Sequence, residues 1–298
     1  MKRDVVIGLC LVGMLAASCA TGGQAVNDFS DFRSEDDGIF SLKVGQFMVY
    51  TLIDAQREGN AGILVDADAA VLERFIPEAG FSHSTNAFLI KTPQGNILVD
   101  NGFGATIIDK MQKLDITPEQ ISAVLITHLH GDHIGGLQKD GAAIFPNAKI
   151  YVSKNEHEHF TQTQPNQGAV AALAPYEVIT FEPAQLQAKH TEILPGIFPI
   201  ANYGHTPGHT VFMVESGKEK LIIAGDFLHV ALVQFAVPDI SASFDMDKEA
   251  AAVSRKQILD YAAQNKIPIG AMHIVYPGIG AIGVSSDEGV QFTFTPVK

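Results

Sequence analysis

The segment Thr127 to Gly136, THLHGDHIGG, carries His128, His130, Asp132 and His133 within six positions, directly after the apolar run SAVLI. His128 and His130, at i and i+2, project from one side of extended backbone, so two imidazoles can reach one metal ion. Gly131 allows a sharp change of direction, after which Asp132 and His133 can aim at a neighbouring point. One tight segment could thus supply ligands to two adjacent cations. A lone histidine is more often a core or surface residue and HxH alone is weak evidence, whereas HxHxDH at a strand end is much stronger.

Three further segments, GHTPGHT, AGDFLH and AMHIVYPG, carry metal-competent side chains. In the first, Gly204, Pro207 and Gly208 make a rigid turn expected to present His209 at the start of the strand VFMVE, with His205 bracing the loop. Asp226 ends the apolar strand LIIAG, where a carboxylate in a purely structural role would need a buried partner. His273 ends IPIGAM. Packing alone does not account for such side chains at three separate strand ends.

The elements that must hold these groups read as an alternation of strands and helices. AFLIK and NILVD, joined by TPQG, predict an antiparallel hairpin near the start of the domain. Apolar positions Ile107, Ile108, Met111 and Leu114 predict a helix face, and TPEQ, with Thr117 as N-cap and Gln120 completing a capping box, predicts a second helix start. SAVLIT, KIYVS, GIFPIANY, VFMVES and KLIIAGD are expected strands, with SKNE capping a helix. DKEAAAVSRKQILDYAAQ is the clearest long helix. The HEH at His157 to His159 falls in a predicted helix, where i and i+2 side chains diverge, and is assigned to the surface.

Composition bounds the function. A chain of 298 residues with 46% hydrophobic residues can bury a large core, and its formal net charge of -13 disfavours nucleic acid as a partner. The first twenty residues place Lys2 and Arg3 ahead of an apolar run ending in small residues, the layout of a signal peptide. LAASC is similar to a lipoprotein lipobox, which would make Cys19 the lipidated first residue of an exported, periplasmic, membrane-anchored chain. Residues 1–19 are therefore expected to be the signal, 20–38 a polar linker, and 39–298 the folded domain. Both cysteines, Cys10 and Cys19, lie in the signal, so any metal is held by His, Asp or Glu.

In their order, HLHGDH, GHTPGHT, AGD and a late H...PG resemble the metallo-β-lactamase fold superfamily of hydrolases over roughly residues 39 to 295. The resemblance implies an α/β fold, an αβ/βα four-layer sandwich of two mixed β-sheets flanked by helices, with a dinuclear site at one edge. It also implies that His128, His130 and His209 hold the first metal, that Asp132, His133 and His273 hold the second, and that Asp226 bridges them.

Two divalent ions roughly 3.5 to 4 Å apart can share a hydroxide that attacks an electrophilic carbon or phosphorus, with Asp132 passing a proton to the leaving group. Zinc is the default for such a ligand set, and manganese, iron and cobalt are compatible.

NILVDNGFG, FPNAKIYVS, GDFLHVALVQF and HIVYPGIG resemble the branch containing methyl parathion hydrolase and related lactonases and arylesterases, which implies a small-molecule ester, lactone or phosphotriester substrate. Quorum-quenching lactonases place a tyrosine shortly after the bridging aspartate, where this chain has Phe227, Leu228 and His229. Phe81, His83, Phe103, Phe227 and His229 are the candidates for the pocket wall. The alternatives are a β-lactamase-type amide hydrolase, for which no lysine or arginine close to the motifs offers a carboxylate clamp, and a non-catalytic metal-binding periplasmic protein.

Overall fold

Phe88, Leu89 and Ile90 are all fully buried, although successive side chains of a strand point to opposite faces. Both faces of that strand are therefore covered, and what covers them defines the architecture. The computed structural model describes residues 33–35, 37–78 and 80–297.

In chain order the elements are β1 (Arg33–Glu35), β2 (Ile39–Val44), β3 (Phe47–Glu58), α1 (Ala69–Phe75), β4 (Ser82–Thr92), β5 (Gly95–Val99), α2 (Ile107–Lys113), β6 (Ile121–Leu125) and α3 (Gly131–Ile134). There follow β7 (Gln138–Lys139), β8 (Ala142–Ala143), β9 (Lys149–Ser153), α4 (Lys154–Glu158), α5 (Gln167–Leu173), β10 (Val178–Phe181), β11 (Ile197–Ala201) and β12 (Thr210–Ser216). The chain closes with β13 (Glu219–Ile223), α6 (Ala231–Gln234), α7 (Lys248–Asn265), β14 (Ile269–Gly270), β15 (Ile279–Val284) and β16 (Phe292–Pro296).

An eight-stranded sheet runs β1-β2-β3-β4-β5-β6-β9-β10, and a six-stranded sheet runs β11 through β16. Phe88, Ile90, Val99 and Leu125 of the first sheet pack on Phe212, Val214, Leu221 and Ile223 of the second. On the first sheet's outer face, Leu89, Leu98 and Val124 meet Ile107 and Met111 of α2 and Leu173 of α5. On the second sheet's outer face, Val211, Met213 and Ile222 meet Ile258, Leu259 and Ala262 of α7. The layers are thus α, β, β, α, as expected. Each large aliphatic or aromatic side chain buried in them contributes about 1.5–3 kcal/mol.

Most local expectations hold. β4 and β5 form the TPQG hairpin, with Thr92 opposite Gly95. At Ser153 the side chain accepts from Glu156 N and caps α4. TPEQ gives only a single turn, Pro118–Gln120, because β6 begins at Ile121; its box is present, with Thr117 N donating to Gln120 Oε1 at 2.8 Å. β1 pairs with β2, Arg33 opposite Ser41, so the sheet begins inside the stretch expected to be linker. The expected signal peptide, Cys19 included, lies outside the described residues. Among the described residues no helix is long and apolar enough to cross a membrane.

β5, β6 and β9 are parallel, as are β13 and β14, so their carboxyl ends open onto one edge of the sandwich. The loops carrying His128 to His133, Asp226 and His273 leave those ends. Thr210 N donates to Thr127 O at 3.0 Å, and the Asn86 side chain donates to Ala271 O and Ile274 O at 2.9 and 2.7 Å. These bonds tie the two sheets together beside the site.

Candidate metal centre

His128 Nε2, His130 Nδ1 and His205 Nε2 form a triangle with edges of 3.0, 3.0 and 3.1 Å. The other nitrogen of His205 donates to Asp245 Oδ1 at 3.0 Å, and that of His128 lies 3.1 Å from Thr127 Oγ1. Asp245 is itself anchored by Ala242 N and by the buried Arg255 guanidinium. Burial and the neighbouring His205 hold His130 down to about 4, and burial with His133 holds His128 well below the usual imidazole range. His128 and His130 are therefore neutral, and their lone pairs converge on the point that His205 Nε2 also faces.

A second group consists of Asp132, His133, Asp226 and His273. His133 Nδ1 donates to Asp100 Oδ2 at 2.7 Å, and His273 Nδ1 donates to Ser84 O at 2.8 Å. Both bonds leave the Nε2 atoms facing the carboxylates: His133 lies 3.1 Å from Asp226 Oδ1 and 3.7 Å from Asp132, and His273 lies 3.0 Å from Asp226 Oδ2 and 3.6 Å from Asp132. Asp100 sits in left-handed backbone at φ 51° and also accepts from Thr127 N and Oγ1, which fixes it beneath His133. Burial opposes ionisation of His133, but Asp226, Asp132 and Asp100 outweigh it and hold the ring well above its usual range. His273 is raised in the same way, burial being outweighed first by Asp226.

Asp226 stands between the groups. Its Oδ1 faces His133, while Oδ2 lies 3.7 Å from His128, 3.5 Å from His205, 3.3 Å from His229 and 3.0 Å from His273. Burial alone would raise this carboxyl, but His133, His273 and His128 hold it well below the carboxylate range.

The donor set fits divalent cations. His133 Nε2 and Asp226 Oδ1 are buried and face each other, yet neither has a hydrogen-bond partner. Converging imidazole lone pairs with their far nitrogens tied to carboxylates or carbonyls are the arrangement of metal-binding histidines. The first group would hold one cation, the second another, and Asp226 would reach both.

His209 is corrected. Its Nδ1 donates to Asn202 O at 2.9 Å, and its Nε2 accepts the backbone N–H of Asp226 at 2.9 Å, so neither nitrogen has a lone pair to offer. His205 takes its place beside His128 and His130. The i, i+4 spacing offers both histidines equally. What separates them is that His209 enters the hydrogen-bonding frame of β12, its carbonyl accepting from Asn202 N, while His205 precedes the turn. Gly225, at φ 53°, packs on that ring; a Cβ there would lie 2.6 Å from His209 Nε2.

A cavity of about 370 Å³ opens over both groups, lined by Arg57, His83, Asp132, His229, Phe244 and ligand histidines. His83 stacks on His273 at 4.4 Å, and burial, then His273, lowers it to about 4. His229 stacks on His273 at 5.2 Å and touches Phe244 at 5.6 Å. Of the five expected wall residues, His83 and His229 line this cavity, and Phe103 lies beside it under Arg57. Two do not. Phe227 is buried between the second sheet and α7, and Phe81 packs with Leu64, Val230 and Val233. Phe227 follows Asp226, but its side chain turns inward. Arg57 and Phe244, distant in sequence from every motif, had no local signal, and neither did Asp245. Asp100, at the end of the strand NILV, was open to the same strand-end argument as Asp226.

Residues 82–266, more than half of the chain, match the Metallo-beta-lactamase superfamily. The chain belongs to this superfamily. Superfamily relatives include an atrochrysone carboxyl ACP thioesterase of Aspergillus chevalieri, 33% identical over 144 residues, which are 48% of this chain and 39% of the relative. An N-acyl homoserine lactonase of Bacillus cereus is 26% identical over 149 residues, 50% of this chain and 54% of that one. The chain thus spans about two fifths to one half of these relatives' lengths. Among solved superfamily structures, the hydrolase AbOPH matches with a TM-score of 0.79 at 26% identity, covering 89% of this chain and 99% of its own. AidC, a dizinc quorum-quenching lactonase solved with a product, matches with a TM-score of 0.77 at 26% identity, covering 88% and 99%.

Proposed function

We propose that the protein is a two-cation hydrolase that cleaves a small ester, lactone or phosphotriester. The observation that carries this reading is Asp226, whose carboxylate lies 3.5 and 3.7 Å from His205 and His128 of one group and 3.1 and 3.0 Å from His133 and His273 of the other, on the floor of one open cavity. Bound there, two divalent cations, zinc by analogy with the dizinc lactonase, would supply activated water and polarise the scissile carbonyl or phosphoryl oxygen.

The chain's own residues do the rest. His128, His130 and His205 would hold one cation and Asp132, His133 and His273 the other, with Asp226 within reach of both groups. Asp132 lies at the cavity surface, with 27% of its side chain exposed, so it can both bind and exchange a proton with the leaving group. Phe244 supplies an apolar wall above His229. His229 stands three residues after Asp226, and its Nε2 lies 3.3 Å from Asp226 Oδ2 on the pocket floor. The likeness to AidC and AbOPH favours the branch of methyl parathion hydrolase and related lactonases and arylesterases. Export and lipid attachment at Cys19 are proposed from the sequence alone.

The test is a panel of aryl esters, lactones, phosphotriesters and a cephalosporin, assayed before chelation, after it and after metal is restored. Hydrolysis of at least one of the first three classes should disappear with chelator, return with metal, and be absent in His128→Ala. Equal rates in the wild type and His128→Ala would overturn the assignment.

A further inference from the structure

We infer that Arg57 is a specificity residue that binds an anionic group, a carboxylate, on the part of the substrate remote from the scissile bond. The inference rests on the hydrolase reading above. Arg57 lies opposite His83 in the β3–β4 register, and His83 stacks on His273, so the strand pair carries the guanidinium to the rim of the metal cavity. Adjacent Glu58, by strand alternation, points to the other face.

The guanidinium is held without being spent. Its carbon sits 4.5 Å above the centre of the Phe103 ring. Asp54, three residues earlier on the same strand, fixes that ring's loop by accepting from Phe103 N at 2.8 Å and Thr106 N at 2.7 Å. A stacked guanidinium keeps its N–H donors at its edge, where a planar carboxylate can meet two of them. No carboxylate pairs with Arg57 among the described residues. Among the residues lining the cavity it is the one Lys or Arg, and the two carboxylates there, Asp132 and Asp226, are occupied with the histidine groups. In a chain of net charge -13, an unpaired cation at the mouth of the site is a selective feature for a negative substituent.

Isophthalate and 3-carbamoylbenzoate have the same shape, and each can place one carboxylate at the metals; only isophthalate has a second charge for Arg57. Calorimetry on the metal-loaded protein at low salt should show a preference for isophthalate of about fivefold. That ratio should fall to about one in Arg57→Gln, drop below one in Arg57→Glu, and shrink with added salt in the wild type. The same ratio should appear in kcat/KM for 3-acetoxybenzoate against 3-acetoxybenzamide. A wild type with no preference, or a preference that survives Arg57→Glu, would overturn the inference. If neither ester is hydrolysed by the wild type, the calorimetric ratio still decides the role of Arg57, and the hydrolase reading fails only if lactones, phosphotriesters and the other aryl esters of the panel above are also left intact.

Discussion

The backbone N–H of Asp226 donates to Nε2 of His209 at 2.9 Å. The histidine at the start of β12 therefore positions the carboxylate between the two histidine groups, and the ligand role passes to His205, four residues earlier. This division makes opposite predictions for two neighbouring histidines. His205→Ala should lose one of two bound cations at a metal concentration at which His209→Ala retains both. Conversely, His209→Ala should lower folding stability by about 1–3 kcal/mol, because it leaves a buried N–H unpaired. Elemental analysis and denaturant titration of the two variants check this, and metal loss confined to His209→Ala would contradict it.

Asp245 should matter at a distance from the cavity. Its Oδ1 takes the Nδ1–H of His205, which leaves Nε2 as the free lone pair. Asp245→Asn should weaken binding of one cation by about 10- to 100-fold without removing a ligand. Competition with a chromophoric chelator measures this, and wild-type affinity in the variant would count against the role.

Metal loading should release protons. Carboxylate neighbours outweigh burial at both rings and hold His133 well above and His273 above the ordinary imidazole range, so protons compete with a cation at these sites, and His133 keeps its proton near pH 7 in the metal-free protein. A cation needs those Nε2 lone pairs. Affinity should therefore fall as pH falls, and titrations at pH 7 in two buffers of different ionisation enthalpy should report net proton release. Heats that do not depend on the buffer would refute this.

Glu156 should couple the two histidine loops. It is buried, and its carboxylate accepts from Leu129 N at 2.8 Å, Thr206 Oγ1 at 2.7 Å and Gly208 N at 3.0 Å. Replacing an acceptor-only carboxylate with an amide puts an NH2 against one set of these donors, so Glu156→Gln should cost about 1–3 kcal/mol of stability. Guanidinium denaturation measures the loss, and an unchanged midpoint would show that the carboxylate is dispensable.

Much of the sandwich was legible because its strands are apolar on both faces and its turns carry their usual residues. AFLIK and NILVD read as strands, TPQG as the hairpin between them, and DKEAAAV onward as a long helix. HLHGDH, Asp226 and His273 were legible for a related reason: each directly follows an apolar strand, and those strand ends share one edge. The exchange of His205 and His209 was not legible, since it depends on which imidazole enters the β12 hydrogen-bond frame. The wall of the cavity was legible only in part, at His83 and His229. Arg57 and Phe244 reach it from β3 and from the loop before α7, and only the tertiary packing brings them beside the metal ligands. Phe81 and Phe227 showed the converse, aromatic residues next to motifs that the core absorbs.

The most direct test of the two-cation site is anomalous diffraction at the absorption edge of the metal, from crystals of the metal-loaded protein. Two peaks about 3.5–4 Å apart are expected. One should contact His128, His130 and His205, the other Asp132, His133 and His273, with Asp226 reaching both. A single peak, or a peak ligated by His209 in place of His205, would contradict the assignment.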